Sequence, residues 1–570
     1  MLGRSPFPHI GDGAYVVTLP PYGFFWFLLE DQHTSQAPAK PSSREWTTLV
    51  WISGWHSLFA GRERHAIEND VLPSFMRERR WFADKARAIT TAKVDAVVPL
   101  EDDGGSAALA FVNVPGRQQS VSRYLIPLMV KWARPDRIEG NGGNVMAAVR
   151  RLSREGTLLD AATDRDFIAL LLKFLHEGHT VRQDDLAIEF RPTAAFKDLP
   201  VPPCDQIALP NAEQSNTTIV ADQVCVMKIL RKVNEGVHPE IEVGRFLLEH
   251  TAFKNVPDLL GSAELVENGK RSALVVAHRF IQNQGDAWTV TAAFLGRFID
   301  DLRAQAAEAP EDNPELTSYT QRIRQIGLRT GELQTAFASR PDIADFAPEP
   351  IGEADIAAWT DRLLERSART FDLLAAKHHE MDDAGAVMAD RLIQKHRQIA
   401  DHIRGMLPGK TTALKIRHHG DFHLGQILIA KDDAYILDFE GEPGRSLDER
   451  RQKAPAARDV AGLIRSIDYS TTAALLNAAN LTPEERATLP PKLAVWRDKA
   501  TEEFWNTCRT YTDTSLWPAD AREAQNLLDF FLLEKAFYEM EYELMNRPGW
   551  LHVPLDGTLR ILTRHGVVTA

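Results

Sequence analysis

Between His418 and Pro443 the chain reads HHGDFHLGQILIAKDDAYILDFEGEP, and no other stretch restricts the fold as much. Two apolar runs, QILIA and AYILDF, flank a KDD turn and form a hairpin of short strands. Polar groups stand at its outer ends: Asp421 in the loop before it, Gln426 at its entry, and Asp438 twelve positions later at its exit. Antiparallel pairing brings the entry and exit of a hairpin to the same end. A fold that accepts this segment buries the apolar strands and gathers Gln426 and Asp438 beside the Asp421 loop.

That gathering suits phosphoryl transfer, which asks a protein mainly to position groups and neutralise charge. The spacing resembles that of protein kinases, where an Asp accepts the substrate hydroxyl proton, an amide stands five residues on, and a later Asp-Phe-Gly carboxylate helps hold magnesium. Two letters differ, because Gln426 stands where Asn is usual and Glu440 where Gly is usual. An amide oxygen from Asn or Gln ligates Mg²⁺ equally, so the expectation is Asp421 as base and Gln426 with Asp438 as metal ligands. Taken singly, His-Gly-Asp reads as an Asx turn and Asp438 as a strand terminator. The combined spacing favours the chemical reading.

Bulk properties agree with a globular enzyme. A chain of 570 residues exceeds one ordinary core, and at roughly 100–200 residues per domain it calls for three or four packed units. A formal net charge of −13 argues against a nucleic-acid or membrane-surface partner. Cys204, Cys225 and Cys508 are widely spaced, with no metal-binding pair and no disulfide framework. Pro20, Pro21 and Gly23 interrupt the apolar stretch from Tyr15 to Leu29, which is expected neither to span a membrane nor to act as a signal peptide. A cytoplasmic location is expected.

Four regions follow from the patterning. Residues 1–45 hold two short strands, GAYVVTL and GFFWFLLE, and a polar linker; a lone strand pair cannot bury its own faces, so it is expected to be the tail of something larger or a strand pair added to a neighbouring sheet. Residues 46–199 mix strands (AKVDAVVPL, AALAFVNV, VSRYLIPLMVKW) with a helical run from Arg165 to His179, an α+β cap. Residues 200–285 place strands around one helix, a small nucleotide-binding lobe. Residues 286–570 are mainly helical, with amphipathic segments at 315–340, 355–404, 456–478, 491–511 and 519–546 around the hairpin. The expected fold class is α+β: a bilobed, protein-kinase-like fold with an N-terminal cap and a helical C-terminal catalytic lobe.

For the nucleotide, Lys228 closes the alternating strand VCVMK, where a lysine for the α- and β-phosphates belongs. Fourteen residues later Glu242 lies on HPEIEVGRFLLEH, a helix opened by Pro239, and is expected to pair with Lys228; Glu240 is the competing choice. No glycine-rich loop precedes Lys228. Ser215, Asn216, Thr217 and Thr218 stand there instead, as donors to phosphate. The connector from Ala277 to Trp288 is expected to dock the adenine.

The segments RWFADKAR, EQSNTTIV, VCVMKILRKV, HHGDFHLGQILI, DFEGEP, RDVAGLIRSIDY and EKAFYEMEYELMNRPGWLHVPLDG together resemble the bacterial maltokinases, over roughly residues 60–570. That family lies within the aminoglycoside-phosphotransferase-like superfamily, and the pairing of HGD-x-H-x-x-Q with DFEGEP is shared with the related glucosamine kinases. The resemblance implies ATP- and Mg²⁺-dependent phosphorylation of the anomeric hydroxyl of maltose, giving maltose 1-phosphate for glucan synthesis from trehalose. It implies Asp421 as the base, Gln426 and Asp438 as Mg²⁺ ligands, and Lys228 as the phosphate-binding lysine. The first thirty residues are similar to the end of the C-terminal β-sandwich of trehalose synthase. A separate trehalose synthase is therefore an expected partner, while isomerase activity is not expected.

A disaccharide site combines polar groups for hydroxyls with an aromatic face for the ring. Glu541, Tyr542, Arg547 and Trp550 in the C-terminal run are the candidates, with Tyr538 and Glu534 behind them and His423 beside the transferred group. Two other readings stand. A glucosamine or other hexose kinase would keep the same catalytic letters and add a carboxylate for the amine, whereas a non-catalytic nucleotide-binding scaffold would not need Lys228, Asp421, Gln426 and Asp438 together.

Overall fold

The run AALAFVNV is apolar at nearly every position because its strand, Ala107–Pro115, is covered on both faces. Successive side chains of a strand point to opposite sides. Ala107, Leu109 and Phe111 accordingly enter one core, while Ala108, Ala110, Val112 and Val114 enter another. The computed structural model describes residues 46–82, 89–100, 106–116, 120–138, 143–208, 215–304 and 314–569. The strand pair expected in residues 1–45 lies outside them.

The cap is a sheet in the order Thr48–Val50, Val145–Arg151, Arg154–Asp160, Val121–Lys131, Ala107–Pro115, Lys93–Pro99, with Lys232–Val233 added alongside Val121–Lys131. A second antiparallel sheet runs Thr180–Gln183, Leu186–Pro192, Leu259–Glu267, Lys270–Arg279, Cys225–Ile229, Thr217–Ala221, Ile207–Ala208. The helix Arg165–Glu177 packs with both sheets through Phe167, Ile168, Leu171 and Leu172. Asp164 caps it by accepting from the amides of Asp166 and Phe167, and Gly178 ends it at φ 71°. The expected boundary at residue 199 does not coincide with the division between the sheets. The strands at 180–192 pair within the second sheet and Lys232–Val233 pairs within the first, because strand pairing is set by non-local register that no local pattern carries.

The α+β expectation holds, and a helical lobe follows. Pro314–Ala338, Ala457–Asn477, Pro483–Tyr511 and Ala521–Asn546 form near their expected positions. The expected run 355–404 is instead three helices, Glu353–Ala376, Asp383–Gln394 and His396–Met406. Asp382 starts the second by accepting from the amide of Gly385.

From one face the helix Ala457–Asn477 positions the loop that carries Asp421. Asp459 accepts from the amides of His419 at 2.7 Å and Gly420 at 3.0 Å, and Ser466 Oγ accepts from the Leu424 amide at 3.1 Å. Between them Gly462 lets the loop backbone approach, since a Cβ there would lie 2.6 Å from the Phe422 carbonyl oxygen. Residues 459, 462 and 466 share one helical stripe. Gly462→Ala is therefore expected to destabilise the protein by about 1–3 kcal/mol, read as a lower urea midpoint. The same substitution should reduce turnover per folded molecule, because relief of the clash displaces Phe422, the neighbour of Asp421.

Candidate active site

Lys228 stands where strand, helix and hairpin meet. Along Cys225–Ile229, Cys225, Met227 and Ile229 face the core, leaving Val226 and Lys228 on the cleft side. Its Nζ lies 2.6 Å from Asp438 Oδ1, 2.9 Å from Glu240 Oε1 and 3.4 Å from Glu440 Oε1. The partner on the helix Pro239–His250 is thus Glu240, and the expectation of Glu242 is corrected. Two residues of an α-helix are about 200° apart, so the two glutamates point opposite ways. Glu242 binds Arg417 Nη1 at 2.9 Å and Arg451 Nη2 at 2.6 Å. His278 Nε2 completes the first group by donating to Glu240 Oε1 at 3.1 Å.

Three carboxylates around one ammonium leave excess negative charge. Burial works against the charge on Lys228, but Glu240, Asp438 and Glu440 outweigh it and hold its pKa well above the usual lysine range. Burial likewise opposes ionisation of Glu240, and Lys228 with His278 reverses that and holds it far below the usual carboxylate range. Glu440 absorbs the imbalance: burial and the neighbouring Glu240 push its carboxyl up to about 8, against the pull of Lys228. Carboxylate oxygens of Glu240, Asp438 and Glu440 lie within 4.8 Å of one another. A set of hard oxygen donors carrying more negative charge than its lysine neutralises fits a divalent cation such as Mg²⁺.

The hairpin forms as read, with Ile427–Ala430 pairing Asp433–Ile436 around a two-residue turn. Lys431 and Asp432 both have positive φ, 51° and 62°, as a primed hairpin turn demands. Gln426 Nε2 donates to Asp438 Oδ2 at 2.9 Å, and its amide oxygen takes no protein partner among the described residues. Asp438 has a φ of 64°, a left-handed conformation that Asp tolerates better than most residues and that turns its carboxylate group out of the strand direction. The fully buried His419 joins the two arms, its Nε2 donating to the Leu437 carbonyl at 2.7 Å while Nδ1 accepts from the Asp421 amide at 3.4 Å. The connector after Arg279 is tied to the same hairpin, through Gln284 N to Ile429 O at 2.8 Å and Ile429 N to Gly285 O at 3.0 Å.

Two cavities flank this centre. One, of about 240 Å³, is lined by Thr218, Val226 and Lys228 from the small lobe, by Phe280, Ile281 and Asn283 from the connector, and by Leu428, Ile436 and Asp438 from the hairpin. Among the expected phosphate donors, Ser215 is exposed and Asn216 Nδ2 donates to Glu440 Oε1 at 3.2 Å. Thr217 is a correction: it is buried and its hydroxyl accepts from Arg231 Nε at 3.0 Å, on the face of the strand opposite Thr218. Strand alternation decides this, because only every second residue reaches the cleft.

The other cavity opens on Asp421 and is lined by Glu442, Arg445, Arg458, Glu534, Lys535 and Tyr538, with Arg366 behind. Lys535 Nζ is 3.8 Å from Asp421 Oδ1 and 5.1 Å from the Tyr538 ring centre. The expected sugar contacts lie beyond it. Glu541 is held by Arg366 at 3.6 Å and Arg369 at 3.5 Å, Tyr542 is 44% exposed, and Arg547 binds Glu543 at 2.7 Å between the Tyr542 and Trp550 rings. Trp550 stacks on Tyr469 at 6.0 Å. The helix Ala521–Asn546 passes Asp421 one to two turns earlier than expected, and the polar triplet 534, 535, 538 on an otherwise apolar run is the signal that marks it. His423 Nδ1 accepts from the Gly425 amide at 3.1 Å, so its ring braces the loop, and burial lowers its pKa despite the nearby Asp421.

Comparison with known proteins agrees with this geometry. The maltokinase N-terminal cap domain matches residues 75–164. A glucosamine kinase of Streptacidiphilus jiangxiensis is 26% identical over 354 residues, spanning 60% of this chain and 70% of that protein. A glucosamine kinase of Mycolicibacterium smegmatis is 23% identical over 359 residues, spanning 63% and 79%. Among solved structures, a glucosamine kinase in complex with glucosamine, ADP and inorganic phosphate aligns with a TM-score of 0.57 at 18% identity, covering 86% of this chain and 97% of that one. A second crystal form of a glucosamine kinase aligns equally, at 0.57 over 85% and 96%. The structural likeness establishes a kinase-like fold, and the sequence relatives support sugar-kinase activity on it.

Glu440 makes the centre sensitive to pH. Its folded pKa, about 8, lies above the ordinary 4.5, so the folded state holds a proton that the unfolded state releases. Stability from this group is full below the ordinary value and is lost as pH rises through about 8. In metal-free protein the melting temperature should fall from about pH 4.5 to about 8 and level off above that, and Glu440→Gln should flatten that slope. Added Mg²⁺ should restore stability at the alkaline end of the wild-type curve.

Proposed function

We propose that this maltokinase-like protein transfers the γ-phosphoryl group of ATP to the anomeric hydroxyl of maltose, giving maltose 1-phosphate and ADP. The charge pattern of the acceptor cavity carries the choice of a neutral sugar over an amine. Glu442 is paired with Arg445 at 2.6 Å, Glu534 with Arg458 at 3.6 Å, and Asp421 itself with Lys535 at 3.8 Å. The fourth lining carboxylate, Asp459, is engaged by the His419 and Gly420 amides, and with Arg366, Arg445, Arg458 and Lys535 also in the lining none of the four carboxylates stands as a dedicated partner for an ammonium group. The cap-domain match points the same way.

In this reading Asp421 takes the proton of the anomeric hydroxyl as that oxygen attacks phosphorus. Lys535, 3.8 Å from the Asp421 carboxylate, presents positive charge beside the transferred group. Lys228, aligned by Glu240, holds the α- and β-phosphates, and the connector residues Phe280 to Asn283 enclose the adenine. Gln426, Asp438 and Glu440 would hold Mg²⁺, which when bound neutralises the phosphate oxygens. Maltose 1-phosphate formed this way serves α-glucan synthesis from trehalose, with a trehalose synthase as its supplier of maltose. Among the described residues no helix is long and apolar enough to cross a membrane. The three widely spaced cysteines support a cytoplasmic setting for the reaction.

Phosphorus NMR of product mixtures with Mg²⁺, ATP and, separately, maltose, glucosamine and glucose tests the assignment. A sugar 1-phosphate from maltose alone is expected, whereas a 6-phosphate from glucosamine would replace the acceptor and leave the scaffold intact. Asp421→Asn should lower kcat by roughly 10²–10⁴-fold, the scale of a lost general base. Calorimetric affinity for MgADP should stay within about twofold, since the base acts on the acceptor; a protein that binds nucleotide only as a scaffold would show no turnover to lose.

A further inference from the structure

The helix Pro239–His250 carries a second glutamate whose role the reaction as described leaves unused. Glu242 accepts from Arg451 Nε at 3.0 Å and Nη2 at 2.6 Å, and its Oε2 lies 2.9 Å from Arg417 Nη1. Arg417 is 2% exposed, follows the strand Leu414–Ile416, and stands four residues before Asp421. Its guanidinium also covers the Phe346 ring at 5.3 Å. Arg451 follows the short helix Leu447–Arg450, whose last residue braces the segment after Asp438 by donating to the carbonyls of Pro443 at 2.8 Å and Arg445 at 2.9 Å.

One carboxylate thus touches the two polypeptide segments that deliver the acid residues of the site, and it rides on the helix that carries the partner of Lys228. Burial disfavours the charge on Arg417, and Glu242 is the carboxylate that offsets it. Paired this way the three groups are shielded from salt and fixed in geometry, as bidentate arginine–carboxylate contacts are. A shift of the helix relative to the large lobe would separate Glu242 from both arginines and withdraw Glu240 from Lys228 together.

We propose that Glu242 is a positioning residue that latches the Glu240 helix to the large lobe, so that the grip on the nucleotide and the alignment of Asp421 are set by one contact. This rests on the kinase reading above. A small displacement at a reacting centre costs far more rate than it does binding, so loss of the latch should appear as turnover.

The test uses the full chain with Glu242→Gln, Arg451→Ala and the double substitution, assayed with Mg²⁺, ATP and maltose, with MgADP-binding sites counted by calorimetry. Each single change should lower kcat per MgADP-binding site by about 10–100-fold. KM for maltose should move less than about twofold, and the double variant should lose no more than the worse single one, because both act through the same contact. Fewer binding sites with normal turnover per site would show a purely structural role and overturn the proposal. Unchanged turnover in Glu242→Gln, or losses that multiply in the double variant, would also overturn it. If Glu242→Gln fails to fold, Arg451→Lys, which keeps the charge and removes the bidentate contact, decides on the same readout. A wild-type chain that binds MgADP and phosphorylates none of maltose, glucosamine and glucose overturns the kinase reading alone. The latch is then read from MgADP affinity, which Glu242→Gln should weaken about tenfold through Lys228.

Discussion

Everything in the centre of this molecule answers to one charge, only partly open to solvent. The ammonium of Lys228 is shared among Glu240 from a small-lobe helix and Asp438 and Glu440 from the large-lobe hairpin. An unpaired buried charge is strongly unfavourable, so the three segments are held together by the need to pair it. The set still carries more negative than positive charge, and the raised pKa of Glu440 records the surplus. The surplus also makes the centre receptive to a divalent cation and the phosphates it accompanies, so the same electrostatics serve folding and chemistry.

The loop that carries Asp421 is held differently, by its backbone. Asp459 and Ser466 satisfy three of its amides and Gly462 lets it lie directly on the helix Ala457–Asn477. On the other side Gly420, at φ 88°, comes within van der Waals distance of Gly441, so a Cβ there would lie 3.2 Å from the Gly441 Cα. The loop is therefore clamped between a helix and the segment after Asp438. That clamp lets Asp421 stand partly exposed at the cavity without depending on its own side chain for position.

The cap is joined to the second sheet rather than appended to it. Its sheet contributes Leu109, Phe111 and Leu125 to the core that also holds Ile219, Met227 and Ile229 of the strands around Lys228. Arg231 crosses the junction, buried, binding Asp160 of the cap at 2.9 Å and Thr217 of the lobe at 3.0 Å beneath the Trp81 ring. Thr217, which the sequence offers to phosphate, serves that junction. Its neighbour Thr218 takes the place in the cleft, one residue along and on the other face.

By itself the sequence determined what depends on short-range periodicity. Alternation put Lys228 on the cleft face of its strand, hairpin geometry brought Gln426 to Asp438, and amphipathic periodicity marked most helices of the large lobe. Such features follow from the two- and 3.6-residue repeats of the backbone, which any reader of the chain can count. What only the tertiary structure decided was phase and distance. Whether Glu240 or Glu242 met Lys228 depended on how the helix Pro239–His250 was rotated against its neighbours, and the sequence, with both glutamates in the first turn, pointed to Glu242 ahead of Glu240. Whether the acceptor wall used Glu534, Lys535 and Tyr538 or the residues from Glu541 to Trp550 depended on where the helix Ala521–Asn546 crossed Asp421. Those choices are made by side-chain packing between elements far apart in the chain, and that packing leaves no repeat in the sequence from which to read it.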